Sequence, residues 1–169
     1  MRVAKSNRGW VGFIGAVAVA IALLSLAVLT KSHHQHQMRQ AEVAAQGAEV
    51  MPFDLDQTTH IFQPLDDGGL QTVVAKDEAN AEQISLIQAH LAEEAAKFQA
   101  GDFSDPATIH GHDMPGLKAL SAGHRELEVQ YTALPNGAKI RYRTDSEPLV
   151  TAVHDWFAAQ RSDHGHHAR

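Results

Sequence analysis

The chain contains no cysteine. That excludes disulfides, thiolate metal sites, cysteine nucleophiles and a lipidated cysteine anchor. Aromatic residues are scarce, at 6% of 169 residues, so a core has to rest mainly on Ala, Val, Ile and Leu. No acidic residue precedes Glu42. Several catalytic signatures are also missing: there is no Gly-x-Ser-x-Gly elbow, no Walker A loop, no Gly-x-Gly-x-x-Gly and no His-Glu-x-x-His. A net charge of −6 argues against a nucleic-acid partner, which would call for a basic surface. What the chain has in excess is histidine, 12 in all.

The early charge is all positive: Arg2, Lys5 and Arg8, then Lys31 and Arg39. Between them, residues 10–29 read WVGFIGAVAVAIALLSLAVL, with no charge. At 1.5 Å per residue, about 20 such residues cross the ~30 Å hydrocarbon core of a bilayer. The basic side stays in the cytoplasm, so the remainder is expected outside it. This reads as a basic segment at 1–9 followed by a single-pass signal anchor at 10–30 in the inner, cytoplasmic membrane, with a periplasmic domain beyond. A cleaved signal peptide is the alternative, although its apolar stretch is usually shorter, about 7–15 residues. Residues 40–169 hold nine Lys or Arg against all 20 acids, a charge of −11 on the exported part.

Residues 31–50 read as a His-containing juxtamembrane linker, 51–161 as the folded domain and 162–169 (SDHGHHAR) as a frayed, His-rich tail. Within the domain, Thr58–Leu65 and Leu70–Ala75 are strand-like around Asp66-Asp67-Gly68-Gly69, a hairpin turn. Pro64 suits an edge strand. Residues 77–99 form the clearest helix, with Asp77 as its cap, an apolar face at Ile84, Ile87, Leu91, Ala95 and Phe98, and Glu93 and Glu94 off that face. Alternation on both sides of Asn136-Gly137 predicts a second hairpin, with Glu and Arg pairing across it. Pro148 opens a last helix over 147–161. The expected fold is α+β: an N-terminal transmembrane helix followed by a ββα-ββα domain with antiparallel hairpins and two packed helices.

The candidate chemistry is metal binding. In His110-Gly111-His112-Asp113-Met114-Pro115-Gly116, an extended backbone would turn His110, His112 and Met114 to one side. Imidazole suits copper, zinc and iron, and thioether sulfur selects Cu(I). His90 and His154 lie at the edges of the two helical stripes and could complete a site with the loop; His60 shares a strand face with Thr58 and Phe62. The candidate ligands are therefore His90, His110, Met114, His154, His60 and His112, with copper as the cofactor and zinc or haem iron as alternatives. The competing readings are a side chain satisfied by a backbone carbonyl for His90 and His154, a satisfied strand histidine for His60, and for the loop a polar surface turn with Met114 filling the core. Affinity is expected to fall below about pH 6, as imidazole protonates. The tracts His33/His34/His36 and His164/His166/His167 could chelate weakly without a fold.

From Met51 onward the chain resembles a family of small bacterial membrane-anchored or exported proteins commonly labelled aspartate carbamoyltransferase. The resemblance rests on Met51-Pro-Phe-Asp-Leu with Thr59-His60; Ala89-His90-Leu91; Gly101 to Pro106; Ile109-His110-Gly111 with Asp113 to Leu117; and Val153-His154-Asp155-Trp156-Phe157. It implies a small exported module with key histidines. The Ser-Thr-Arg-Thr phosphate loop and His-Pro-x-Gln segment of the true transferase do not occur. Besides metal binding, two function classes stand: an acidic module docking to an envelope protein without metal, and an enzyme, either a metal-dependent hydrolase or the labelled transferase.

Overall fold

The structure, a computed structural model, describes the backbone of residues 8–169 and the side chains of residues 26–169. The basic segment 1–9 and most of the expected 10–30 anchor therefore lie outside the residues described in full. Helix α1 runs over Arg8–Val50. Among the described residues no helix is long and apolar enough to cross a membrane. Leu26, Val28 and Leu29 on α1 are all more than half exposed.

The chain divides into two compact units, residues 1–38 and 39–169. The second takes in both the end of the expected linker and the expected tail. No Gly or Pro interrupts residues 31–46, so the linker stays helical. Its Val43 is fully buried in the core. The helix stops before Pro52, which disfavours a helical Met51.

The sheet has four strands, β1 (Thr58–Leu65), β2 (Gly68–Ala75), β3 (Glu128–Leu134) and β4 (Gly137–Arg143), in the order β1-β2-β4-β3, all antiparallel. Both expected hairpins are present. Leu65 pairs with Gly68 around a two-residue Asp66-Asp67 turn, and Leu134 pairs with Gly137. Glu128 lies opposite Arg143, with charged atoms 3.9 Å apart. One face of the sheet carries His60, Val73 and Ala138 in one row and Phe62, Gln71 and Ile140 in the next. The long helices α2 (Ala81–Gln99) and α5 (Glu147–His164) pack on it. Gly69 makes that packing possible, since a Cβ there would sit 2.4 Å from the Phe157 ring. Trp156 is the centre of the core, edge-on to Phe98, Phe103 and Tyr142. The short helices α3 (Ser104–His110) and α4 (Leu117–Gly123) fill the connection between α2 and β3.

Three expectations change. Helix α2 starts at Ala81, not at 77, because the Asn80 side chain accepts from the Gln83 N–H; Asp77 instead accepts from Ala79 in the preceding turn. Glu94 is buried, because it follows Leu91 by three and His90 by four and so shares their side of the helix. The tail is ordered. Strand β1 is a sheet edge with unpaired backbone groups, and the last residues use them: Phe62 N–H donates to the Arg169 carbonyl (2.9 Å) and Arg169 N–H to the His60 carbonyl (3.0 Å).

Candidate metal centre

A cavity of about 40 Å³ lies between β1, α2, α3 and α5. Each wall follows from local periodicity. Alternation on β1 points His60 inward with Thr58 and Phe62. On α2, His90 and Glu94 are one turn apart and share a side; on α5 the same holds for Gln160 and His164. Helix α3 brings Asp105 near its start and His110 as its last residue, where Gly111, at φ 90°, ends it. Met51, Phe53, Phe98 and Trp156 supply apolar surface.

Three imidazoles stand in a row. The ring centroids of His60 and His164 are 5.1 Å apart, and those of His164 and His110 are 5.0 Å apart. Two imidazoles on one tetrahedral ion, with metal–nitrogen bonds of about 2.0–2.1 Å, have centroids roughly 5 Å apart. The ligand nitrogens of this trio do not all lie within 4.8 Å of one another. Among the described residues that spacing is met only by Asp56, His166 and His167. Convergence on a single ion therefore requires the rings to turn.

Electrostatics keep these imidazoles neutral. Burial, reinforced by the neighbouring histidines, pushes His60 down to about 3. The same causes hold His164 well below its ordinary value. Burial lowers His90. It also lowers His110, against the pull of Asp163. His110 Nδ1 lies 2.8 Å from Asp163 Oδ2, and Arg39 holds the same carboxylate oxygen at 2.8 Å. The guanidinium also donates to the His110 carbonyl at 2.7 Å. A carboxylate on Nδ1 places the proton there and leaves Nε2 as a free acceptor, the way ligand histidines are usually oriented. Across the cavity, burial and hydrogen bonding to Asp105 push Glu94 up to about 8, while Asp105 is lowered chiefly by that bond. Lys97 Nζ closes the pair, 2.8 Å from Asp105 and 3.3 Å from Glu94. At neutral pH Glu94 holds a proton.

Among the described residues, four buried side-chain polar atoms have no hydrogen-bond partner. Three belong to residues lining this cavity: His60 Nε2, Trp156 Nε1 and Gln160 Oε1. Buried polar groups are almost always paired, with protein, ordered water or ion.

The six residues proposed from sequence fall in two neighbouring pockets that share His110, apart from His154. His60, His90 and His110 line the cavity together. His154 does not: its Nε2–H lies 2.9 Å from the Leu65 carbonyl and 3.0 Å from that of Gly68, so it ties α5 to the β1–β2 turn. His112 is exposed on the turn after α3. Met114 is buried and lies outside this cavity's lining, but with His110 and His112 it lines a second, more open pocket beside Asp163. The His110–Met114 stretch is not extended, because α3 continues through His110 and turns follow; the alternation that would have aligned its ligands is lost. Sequence reasoning left His164 in a weakly chelating tail and missed Gln160 and Glu94. The signal was present on α5, where Val153, Phe157, Gln160 and His164 continue one stripe at spacings of 4, 3 and 4.

Comparison with protein-family models, with curated proteins and with solved structures finds no match to this chain.

Proposed function

We propose that residues 39–169 form a metal-binding domain, with copper as the favoured ion and zinc next, held outside the cytoplasm by the apolar N-terminal segment as a single-pass inner-membrane protein. The observation that carries this reading is the group of unpartnered polar atoms, led by His60 Nε2, around a cavity that also holds three other neutral histidines. The ligands are His60, His110 and His164, with His90 at the far wall. Asp163 and Arg39 orient His110. Met51 is the thioether on this cavity's wall and is available for Cu(I). Trp156 Nε1, a donor only, would serve a water or anion on the ion rather than the ion itself.

The cavity's size narrows the alternatives. A space of about 40 Å³ accommodates an ion with a water or two, since one water needs roughly 10–15 Å³ on this measure. Haem does not fit it, and neither does an organic substrate, which weighs against a hydrolase or the transferase label at this site. The depressed imidazoles also move the expected acid limit: binding should persist below pH 6, because protons do not compete until well under the ordinary histidine value. The exposed Leu26, Val28 and Leu29 favour the membrane reading for α1.

The test is a titration of the purified full-length chain with Cu(I), Cu(II) and Zn(II), repeated on His60→Gln and His164→Gln. One tight equivalent lost in both variants supports the site. Unchanged binding in both variants removes it. Absence of tight metal in the unaltered chain would turn the account toward the acidic envelope-docking module.

A further inference from the structure

The fourth unpartnered buried atom, Nδ1 of His167, lies away from the cavity. The short 3-10 turn over Gly165–His167 sets His166 and His167 side by side, ring centroids 3.8 Å apart. The pair faces Asp56, in the turn over Leu55–Gln57 that leads into β1; His167 Nε2 is 3.6 Å from Asp56 Oδ1. One ligand atom from each of the three lies within 4.8 Å of the others. Asp56 is held in place through its backbone, whose N–H donates to Asp54 (2.8 Å) and whose carbonyl accepts from Lys76 Nζ (2.9 Å). Its carboxylate is left exposed. A surface ion pair contributes little by itself, so this pairing is a weak reason for two histidines and an acid to meet.

We propose that Asp56, His166 and His167 form a second metal site, on the surface, for a borderline divalent cation, Zn(II) or Cu(II), and that filling it fastens the C-terminal segment to β1. Two imidazoles and one carboxylate suit those ions, and with no sulfur the set has no preference for Cu(I). The site joins residues more than 100 positions apart in sequence. Just beyond them in both segments is the parallel bridge of Ala168 with His60, a residue of the inner cavity. A cation here therefore holds down the segment that also presents His164. This second site stands independently of whether the inner cavity binds metal.

The test uses Zn(II) alone with the full-length chain. Asp56 and His166 are exposed, so Asp56→Asn and His166→Gln should leave the fold intact, which the thermal midpoint without metal checks. Calorimetry should show, beside any equivalent held in the inner cavity, one Zn(II) equivalent that falls at least tenfold in affinity in each surface variant and survives in His60→Gln. Zinc should also slow amide exchange at Phe62 and Arg169, the two N–H groups of the clasp, and should not do so in Asp56→Asn. Equal Zn(II) binding in the unaltered chain and both surface variants would overturn the site. Unchanged exchange at Phe62 and Arg169 on zinc addition would overturn the fastening.

Discussion

Two histidine clusters share one short stretch of chain and live in opposite surroundings. His164 belongs to the inner cavity, buried and kept neutral by the cost of charging it there. His166, two residues on, is exposed beside Asp56. The inner group is enclosed by aromatic and thioether surface with Asp163 behind His110, and the outer one opens to solvent beside Asp56, so burial separates the two in ion preference. Residue type is the same in the two cases. What differs is whether α5 is still winding when the histidine arrives.

Cutting the chain after residue 162 should break the comparison outright. It removes Asp163, His164, both surface histidines and the backbone clasp on β1. Both metal equivalents should disappear in calorimetry and the thermal midpoint should fall by several degrees. A truncated chain with undiminished binding would contradict both sites.

Single substitutions separate the clusters. His164→Gln should lower Cu(I) affinity at least a hundredfold while surface Zn(II) affinity stays within threefold. Asp163→Asn is expected to act more gently, about 10–100-fold on the inner site, the usual range for a partner that orients a ligand. Competition with a Cu(I) chelator reads both, and an Asp163→Asn chain with unchanged affinity would mean His110 is no ligand.

The metal-free fold should show the clusters' different costs of charge. His60 and His164 are depressed in the folded state, so their contribution to stability is full above about pH 6.5, the unfolded value. It is lost as pH falls below that, toward about 3 for His60. Glu94 works in the other direction. Raised to about 8, it contributes fully only below its unfolded value of 4.5, and that contribution is lost as pH rises through 8. Denaturant melts at pH 5 and pH 8 check both: Glu94→Gln should be more stable than the unaltered chain at pH 8, with a smaller gain at pH 5. No difference between the two pH values would contradict the buried, protonated Glu94.

The smallest effect is expected from Met114→Leu. This volume-conserving swap should cost less than about 1.5 kcal/mol of stability and leave Cu(I) affinity unchanged. Chelator competition would show a tenfold loss if the loop methionine were a ligand after all.

These expectations show where sequence was readable. Both hairpins were plain from the Asp-Asp-Gly-Gly and Pro-Asn-Gly stretches between alternating segments, and alternation alone put His60 on one strand face with Thr58 and Phe62. The His110 loop misled because Gly and Pro in sequence suggested an extended strand of ligands, whereas Pro106 in the first turn of α3 already favoured a helix that carries on to His110. His164 was hidden by its company: a polar, His-rich ending looks solvated, and only the stripe running down from Val153 shows that it reaches the core. Glu94 was hidden by its charge, which burial and Asp105 suppress. The covering of β1 by the tail depends on which strand ends at the sheet edge, and strand order is a tertiary property that local pattern does not contain.

The central claim is that His60, His110 and His164 hold one ion. The most direct measurement is an anomalous difference map from crystals of the full-length chain loaded with one equivalent of copper. The account predicts a peak among those three rings, within bonding distance of His60 Nε2. Copper only beside Asp56, His166 and His167, or only on the histidines at 33–36, would contradict it.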